Sequence, residues 1–400
     1  MDYYSFFTNF ENGEHIFRII DAVIFLIFAL SVCYLFIFAF MSMGKRKDAY
    51  PKAAKKYRFA VLYPAYREDN VITNSVKAFL RQNYPRDKYD VIVISGEMEQ
   101  QTNEELEKLS VKVLPNLNNP NTKTNALQTA VNYIEENKLA YDVVVILDAD
   151  NVVEPDFLEE LNNAFYSGCS AVQTHRVAKN KNTSIAVLDA VSEEINNSIF
   201  RKGHTRLGFS SSLIGSGMAF EYDLFKDCIR QAKHIGVDKQ LEMLLLKQNI
   251  YIEYLSKVYT YDEKVKKGSQ FYNQRRRWLS NQLHNLLWGM ASLPKAILNG
   301  NWDYCNKLLQ WMMPPRVMLF GLIIIIAALL TVVDWYLSIK WWALFLMLCI
   351  TFVIAIPDSL VNRKLAKAIF YIPFLFLLML LNHFRLAKAS KEFIHTEHDE

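Results

Sequence analysis

The stretch YDVVVILDAD, residues 141–150, decides the fold. Its Val and Ile residues form an unbroken apolar run, the pattern of a strand buried on both faces of a parallel sheet. The run stops at Asp148-Ala149-Asp150, two carboxylates one residue apart at the edge of a core element. Such a pair is either a polar turn closing the strand or a set of oxygen ligands holding a divalent cation on a phosphorylated substrate.

The flanking sequence repeats the pattern. Apolar runs RFAVLYPAY (58–66), YDVIVIS (89–95) and VKVLPN (111–116) alternate with NVITNSVKAFLRQN (70–83), NEELEKLS (103–110) and NALQTAVNYIEENK (125–138), which read as helices. Strands alternating with helices predict right-handed βαβ units and an open α/β sheet. Ligands of such sheets bind outside the carboxyl ends of the strands. Pro64-Ala65-Tyr66, Ser95-Gly96-Glu97 and Asp148-Ala149-Asp150 fall at such ends, so three strand ends converge on one crevice. Neither G-x-x-x-x-G-K nor G-x-G-x-x-G follows a strand, so a nucleotide here is expected to rest on a metal and side chains.

Outside this body the composition changes. Hydrophobic residues make up 52% of the chain and aromatics 14%, and the excess is concentrated near the two ends. Ala22–Met41 is twenty residues without a charge, enough to cross about 30 Å of hydrocarbon as a helix. It is too long for a signal peptide, follows acidic Glu11 and Glu14, and has no small-residue cleavage site after it. Val317–Val333, Trp341–Pro357 and Ala368–Phe384 are each seventeen residues without Asp, Glu, Lys or Arg. Trp341 and Trp342 are expected at the membrane interface, and Pro373 predicts a kinked or partial last span. A lipid bilayer is therefore an expected partner.

The basic run GKRKDAYPKAAKKYR, which starts at Gly44, puts the body in the cytoplasm and the N-terminus outside. That is the topology of a multi-pass plasma (inner) membrane protein. The formal charge of +4, from 45 Lys and Arg against 41 Asp and Glu, argues for no nucleic-acid partner. Five cysteines without paired spacing, two of them inside spans, predict no disulfide framework and no zinc site. The expected organisation is an extracytoplasmic segment (1–17), a span (18–43), a cytoplasmic body (44–288), interfacial amphipathic helices (289–315), about three C-terminal spans (316–386) and a polar tail (387–400).

Read in order, Pro64-Ala65-Tyr66-Arg67-Glu68, Lys123 in NTKTNAL, Asp148-Ala149-Asp150, IGSGMAF (214–220), Asp238 in GVDKQLE and Gln274-Arg275-Arg276-Arg277-Trp278 form one ordered set. This set resembles the membrane-integrated family-2 glycosyltransferases, such as bacterial cellulose, hyaluronan, chitin and poly-N-acetylglucosamine synthases. The resemblance covers about Arg58 to Trp288. It implies a GT-A fold with a Rossmann-like mixed sheet, a nucleotide-sugar donor (expected to be a UDP-sugar), Mg²⁺ or Mn²⁺, and inversion at the anomeric carbon.

Carried over by residue, the resemblance implies that Tyr66 stacks on the donor base, Glu68 hydrogen-bonds it and Lys123 contacts the nucleotide. Asp148 and Asp150 serve the metal and diphosphate, and Asp238 is the general base. Gln274, Arg277 and Trp278 form the acceptor and pyrophosphate side. Two positions depart from the pattern. Ser95-Gly96-Glu97-Met98 stands where the family usually has an Asp-rich turn, so either Glu97 is the substitute donor contact or that contact is lost, and Val237 replaces a Glu before Asp238.

The chemistry needs a cation and Arg277 to meet charge on the leaving diphosphate, and one carboxylate to take the acceptor proton. Bland alternatives stand beside each role. Asp238 also suits a helix cap. Glu242 reads as a solvated charge. Arg275 and Arg276 read as membrane-surface charges, and His175 and His204 as structural. The acceptor is either a growing glycan, giving processive polysaccharide synthesis with secretion, or a membrane lipid receiving a single sugar. A non-catalytic membrane scaffold is the third reading. Should four spans prove too few to close a pore, the synthase reading requires a homo-oligomer, a secretion partner or a laterally open groove.

Overall fold

A computed structural model describes residues 3–44, 50–118, 121–233 and 236–389. The body is built on eight strands: β1 (Phe59–Tyr66), β2 (Tyr89–Gly96), β3 (Lys112–Pro115), β4 (Val143–Ile146), β5 (Val152–Val153), β6 (Ala171–Ala178), β7 (Met218–Glu221) and β8 (Ile252–Asp262). Their order is β3-β2-β1-β4-β7-β6-β8-β5. The first four are parallel, as the continuous apolar runs predict. Beyond β4 the sheet becomes mixed, because β7 runs antiparallel to both β4 and β6.

Both faces are covered, which is why these strands read as unbroken hydrophobic runs. Helices α2 (Ile72–Phe79), α3 (Gln100–Glu107) and α5 (Phe157–Tyr166) pack on the face presented by Phe59, Val61, Val91 and Val145. Helices α4 (Lys123–Glu136), α8 (Tyr222–Gln231) and α9 (Val237–Lys247) cover the opposite face, presented by Ala60, Leu62, Ile92 and Ile146. Alternate residues of each strand thus serve two separate cores.

A second layer is almost wholly apolar. It contains α1 (Tyr3–Ser42), α13 (Arg316–Val333), α14 (Trp335–Ala355) and the pair α15 (Arg363–Ala368) and α16 (Ile372–Ala389). Three stretches, Glu14–Ser42, Arg316–Val333 and Trp335–Ala355, are long and apolar enough to cross a membrane. The α15–α16 pair bends by 50° at its break and makes a fourth if taken as one span. The bend falls where Pro373 predicted it. Leu26, Leu30, Leu329 and Val332 are all more than half exposed on these helices, a pattern that fits lipid and not water.

Between the layers, α6 (Ser184–Asn196) joins the cluster formed by α1, α13 and α14 through Val187, Val191 and Ile195. It continues into a π-turn (Asn197–Gly203) and the short α7 (His204–Arg206). The long α10 (Gly268–Met290), α11 (Leu293–Leu298) and α12 (Trp302–Met312) complete the seam. In α12, Tyr304, Leu308 and Trp311 face inward, while Trp302, Leu309 and Met312 stay exposed.

One expectation needs correcting. Trp341 does not mark a membrane interface: α14 starts six residues earlier, at Trp335. The ring is fully buried, and its Nε1–H donates to Asp21 Oδ1 of α1 at 2.8 Å. Lys340 pairs with the same carboxylate, so a charge and an indole clamp the two helices together. None of the five cysteines forms a disulfide. Lys45, Arg46 and Lys47 of the basic flank, and residues 390–400 of the expected polar tail, lie outside the described residues.

Candidate active site

The Asp-Ala-Asp segment is both turn and site. Leu147 makes the last strand-like bond of β4, its N–H donating to Leu62 O at 3.1 Å. The chain then folds back, with Asp148 N donating to Asn151 Oδ1 (3.0 Å) and Asn151 N to Asp148 O (3.0 Å). This closed turn holds the Asp148 carboxylate half-exposed toward the crevice, where Lys123 pairs with it. Lys123 also donates to Gly215 O at 2.7 Å. It is the first residue of α4, whose N-terminus is capped by Thr122 and favours anions. Asp150 is buried, and its carboxylate accepts from Glu263 N (2.7 Å) and Asn151 Nδ2 (3.1 Å).

The loop before β7 brings in the proposed base. Gly217 adopts a φ of 62°, and a Cβ there would overlap Thr174 Oγ1 and lie 2.7 Å from Thr260 Oγ1. A Cβ on Gly215 would lie 3.9 Å from Lys123 Nζ and 4.0 Å from Asp238 Cβ, so this glycine sits between the two side chains. Asp238 is the second residue of α9, whose cap position is Gly236 at a φ of 91°. The cap reading of Asp238 is therefore wrong: its side chain is free of that task. Val237 packs into the core beside α4 and α8, which is why an apolar residue is accommodated there.

Helix α10 supplies the opposite wall. Gln274, Arg277 and Trp278 line the same cavity as Tyr66, Lys123 and Asp238. Burial pulls the Arg277 guanidinium below its usual value, opposed by the negative charges of Asp148 and Asp238. It remains cationic at neutral pH. Arg275 is not a surface charge, as the sequence suggested. It turns inward, pairs with Asp189 of α6 and stacks its guanidinium 4.3 Å from the Trp278 ring centroid. Alternate residues of a helix point in different directions, so the RRR run divides its charges between surroundings.

Tyr66 and Glu68 line the cavity, but Glu97 does not. Glu97 is exposed and bound by Arg67, whose Nε donates to it at 3.0 Å. The Arg67 hydrogen bond is the main influence holding Glu97 below the usual carboxylate range; burial opposes it and a hydrogen bond with Tyr66 adds to it. Arg67 and Glu97 both sit in the left-handed region, with φ of 55° and 50°, at the ends of β1 and β2. Strain of this kind concentrates at binding sites. Asn121 lines the cavity instead and packs directly on Gly96, where a Cβ would overlap its Nδ2. The glycine in the departing Ser95-Gly96-Glu97 turn thus makes room for an asparagine that motif reading missed.

The cavity holds about 820 Å³. It runs from Tyr66 and Asp148 at the strand ends, past Asp238 and Trp278, to Val353 and Ile369 among the apolar helices. Among the described residues no group of three or more His, Cys, Asp or Glu is placed to hold a metal. Asp148 and Asp150 offer hard oxygen donors, which fits Mg²⁺ or Mn²⁺ provided that donor phosphates complete the coordination.

Two ion networks escaped sequence reasoning. Glu242 is fully buried, not solvated: it pairs with Lys307 of α12 at 2.8 Å and accepts from Leu213 N at 3.1 Å. The second network joins Arg176, Arg201 and Lys264 to Glu193, with Asp262 beside Arg176 and Lys264. The sequence signal was charge inside otherwise apolar elements, helical for Glu193, Arg201, Glu242 and Lys307 and a strand for Arg176. His204 and His175 are structural as expected. His204 Nδ1 contacts Ile199 O at 2.7 Å, burial pushes its pKa down to about 3, and His175 meets Glu194 at 3.1 Å.

The sequence profile described as glycosyltransferase-like family 2 matches residues 57–281, more than half of the chain and all eight strands of the mixed sheet. The chain belongs to that family. No curated protein matches it in sequence. A mannosyltransferase from Pyrobaculum calidifontis, solved with GDP-Man and Mn²⁺, shares the fold at a TM-score of 0.55 and 16% identity. That likeness covers 84% of this chain and 96% of the other, and it extends beyond the family-2 region. Glucosyl-3-phosphoglycerate synthase from Mycobacterium tuberculosis matches more distantly, at a TM-score of 0.39 and 15% identity over 57% of this chain and 80% of its own. The glycosyltransferase therefore has a GT-A-like mixed α/β sheet joined to several helices apolar enough to span a membrane.

Proposed function

We propose that this glycosyltransferase moves a hexosyl group from a nucleotide sugar, a UDP-sugar by the family resemblance, to an acceptor that enters from the bilayer. The observation that carries the reading is the single cavity joining the strand-end carboxylates to lipid-facing residues of the apolar helices. Tyr66, Glu68 and Lys123 hold the nucleotide, with Asn121 beside them. Asp148 and Asp150 are the residues that would hold a divalent cation, and when bound it neutralises charge on the leaving diphosphate. The mannosyltransferase solved with GDP-Man and Mn²⁺ supports a cation of this class. Arg277 adds a fixed positive charge at the same place. Asp238 takes the proton of the acceptor hydroxyl while its oxygen bonds to the anomeric carbon. The bond from that carbon to the diphosphate breaks, its electron pair leaves with the nucleotide, and the configuration inverts.

The body, residues 44–288, is read as cytoplasmic, and 289–315 as the seat on the membrane beneath spans in 316–386. The cavity's membrane end is lined by Phe352, Val353, Ile356, Leu365, Ile369 and Ile372. This lining suits an alkyl chain better than a hydroxyl-rich glycan, and it favours a lipid acceptor. Processive polymer synthesis retains one supporting observation: Gln274 and Trp278, which resemble the acceptor motif of the synthases, line the same cavity.

Incubating the purified chain with labelled UDP- and GDP-sugars, Mg²⁺ or Mn²⁺ and total membrane lipid separates the readings. Label in a single-sugar, organic-soluble product supports the lipid acceptor, and a ladder or high polymer overturns it in favour of the synthase. No transfer from any donor overturns the enzyme reading.

A further inference from the structure

The part of the cavity beside α6 and the start of α13 gathers cationic side chains. Arg176, Arg201, Arg275 and Arg316 line it, Lys264 lies behind them, and among the described residues these five share only Glu193, Asp262 and Asp189 as ion-pair partners. Arg316 forms no ion pair among the described residues. Its Nη2 donates to Ser192 O and Ser192 Oγ, both at 3.1 Å, and its buried Nη1 has no partner. The Nε of Arg275 is likewise buried and without a partner. Leaving guanidinium N–H groups unmatched in a dry site is costly unless an anion completes them. Guanidinium groups suit the oxygens of a phosphate through charge-assisted, forked hydrogen bonds.

The position of Arg316 narrows the ligand. It is the first residue of α13, at the level where the body meets the apolar helices, and it lines the cavity together with Arg275. From there the lining becomes apolar and reaches Val353 (76% exposed) and Ile369 (49% exposed), whose outer surfaces face lipid. A free anion would use the charged part of this cavity and leave the apolar part empty. An amphiphile uses both.

We propose that Arg275 and Arg316 bind the phosphate group of a membrane amphiphile whose apolar chain leaves past Val353 on α14 and Ile369 at the bend before α16. This deepens the transferase reading by assigning the acceptor a chemical class: an anionic lipid that presents a hydroxyl toward Asp238 while its phosphate rests on the two arginines.

The test is a binding measurement that needs no sugar donor. The full chain in a neutral maltoside detergent is titrated calorimetrically with dodecyl phosphate, dodecanol and inorganic phosphate. Dodecyl phosphate is expected to bind saturably. Inorganic phosphate is expected to bind at least about tenfold more weakly, because it lacks the chain's buried apolar area. Arg316→Gln should weaken dodecyl phosphate by about tenfold or more, whereas Arg316→Lys, which keeps charge but not the fork, should fall between. Val353→Trp, at the lipid-facing exit, should weaken dodecyl phosphate and leave inorganic phosphate unchanged.

Equal binding of dodecyl phosphate to wild type and to both Arg316 variants overturns the site, as does equal binding of dodecanol. Inorganic phosphate binding as tightly as dodecyl phosphate assigns the site to a soluble anion and overturns the amphiphile. If the Gln variant does not fold, the Lys variant and the dodecanol comparison still decide. Failure of the transferase reading is separate, since a chain that transfers no sugar can still bind dodecyl phosphate. Conversely, equal transfer to a phosphate-bearing lipid by wild type and Arg316→Gln overturns the anion site and leaves the transferase standing.

Discussion

Glu242 Oε1 of α9 lies 2.8 Å from Lys307 Nζ of α12, and both side chains are sealed from solvent. The pair ties the helix that carries Asp238 to a helix at the seam between the body and the apolar layer. Lys307 also donates to Ser212 Oγ (2.7 Å) and Gln310 Oε1 (2.6 Å), so its ammonium is fully satisfied.

Breaking this pair on one side should be severe. Lys307→Met leaves a buried carboxylate with only Lys239 nearby, and the expected loss is about 3–5 kcal/mol. The double variant Glu242→Leu/Lys307→Met should recover most of it, because neither charge is then stranded. Thermal unfolding of the two variants checks this, and equal destabilisation in both would contradict the pairing.

Acid should destabilise the body. Burial acts to raise the pKa of Glu193, but Arg176, Lys264 and Arg201 outweigh it and hold it well below the carboxylate range. Burial likewise opposes, and Lys239 and Lys307 outweigh it, in lowering Glu242. A depressed folded pKa contributes stability that is present above the unfolded value and lost as pH falls through the folded one. The unfolding temperature should therefore be flat from pH 7 to about pH 5 and fall below the ordinary carboxylate range, about pH 4. A rise on acidification would reverse the assigned sign.

Asp238→Asn should keep donor binding and lose transfer by about 10²–10⁴-fold. The side chain is not needed as a helix cap, so folding should be unchanged. Donor affinity by calorimetry and turnover of the same preparation give both numbers. Near-normal turnover would assign proton transfer to another group.

Chelation should abolish transfer, and Asp148→Asn should raise the cation concentration needed for half activity. Asp148 is the cleaner variant to examine. Asp150 also anchors Glu263 N and Asn151, so Asp150→Ala is expected to lower stability as well as activity. Full turnover in excess chelator would remove the cation from the reaction.

Trp278→Ala should raise the acceptor KM more than the donor KM, since Trp278 lies on the α10 wall, across from Tyr66 and Lys123. It also removes the surface on which the Arg275 guanidinium rests, so Trp278→Phe should preserve part of the effect. An unchanged acceptor KM with a raised donor KM would move Trp278 to the donor side.

Much of this protein was set by its local sequence pattern. Val143–Ile146 followed by Asp148-Ala149-Asp150 specified a buried parallel strand with carboxylates at its open end, because strand burial and turn chemistry act over a few residues. The helices apolar enough to cross a membrane were equally legible, since a long uncharged run is read directly from the chain. Tertiary structure decided where charge goes. Glu242, Arg275 and Trp341 looked like surface or interface residues, yet each is drawn inward by a partner 65, 86 or 320 positions away. Glu97, the expected substitute donor contact, is held by Arg67 and touches Tyr66 and does not line the cavity itself. The reason is physical: an ionic or polar side chain is stable in the interior only when its partner is there too, and pairings across such separations leave no period or motif in the chain.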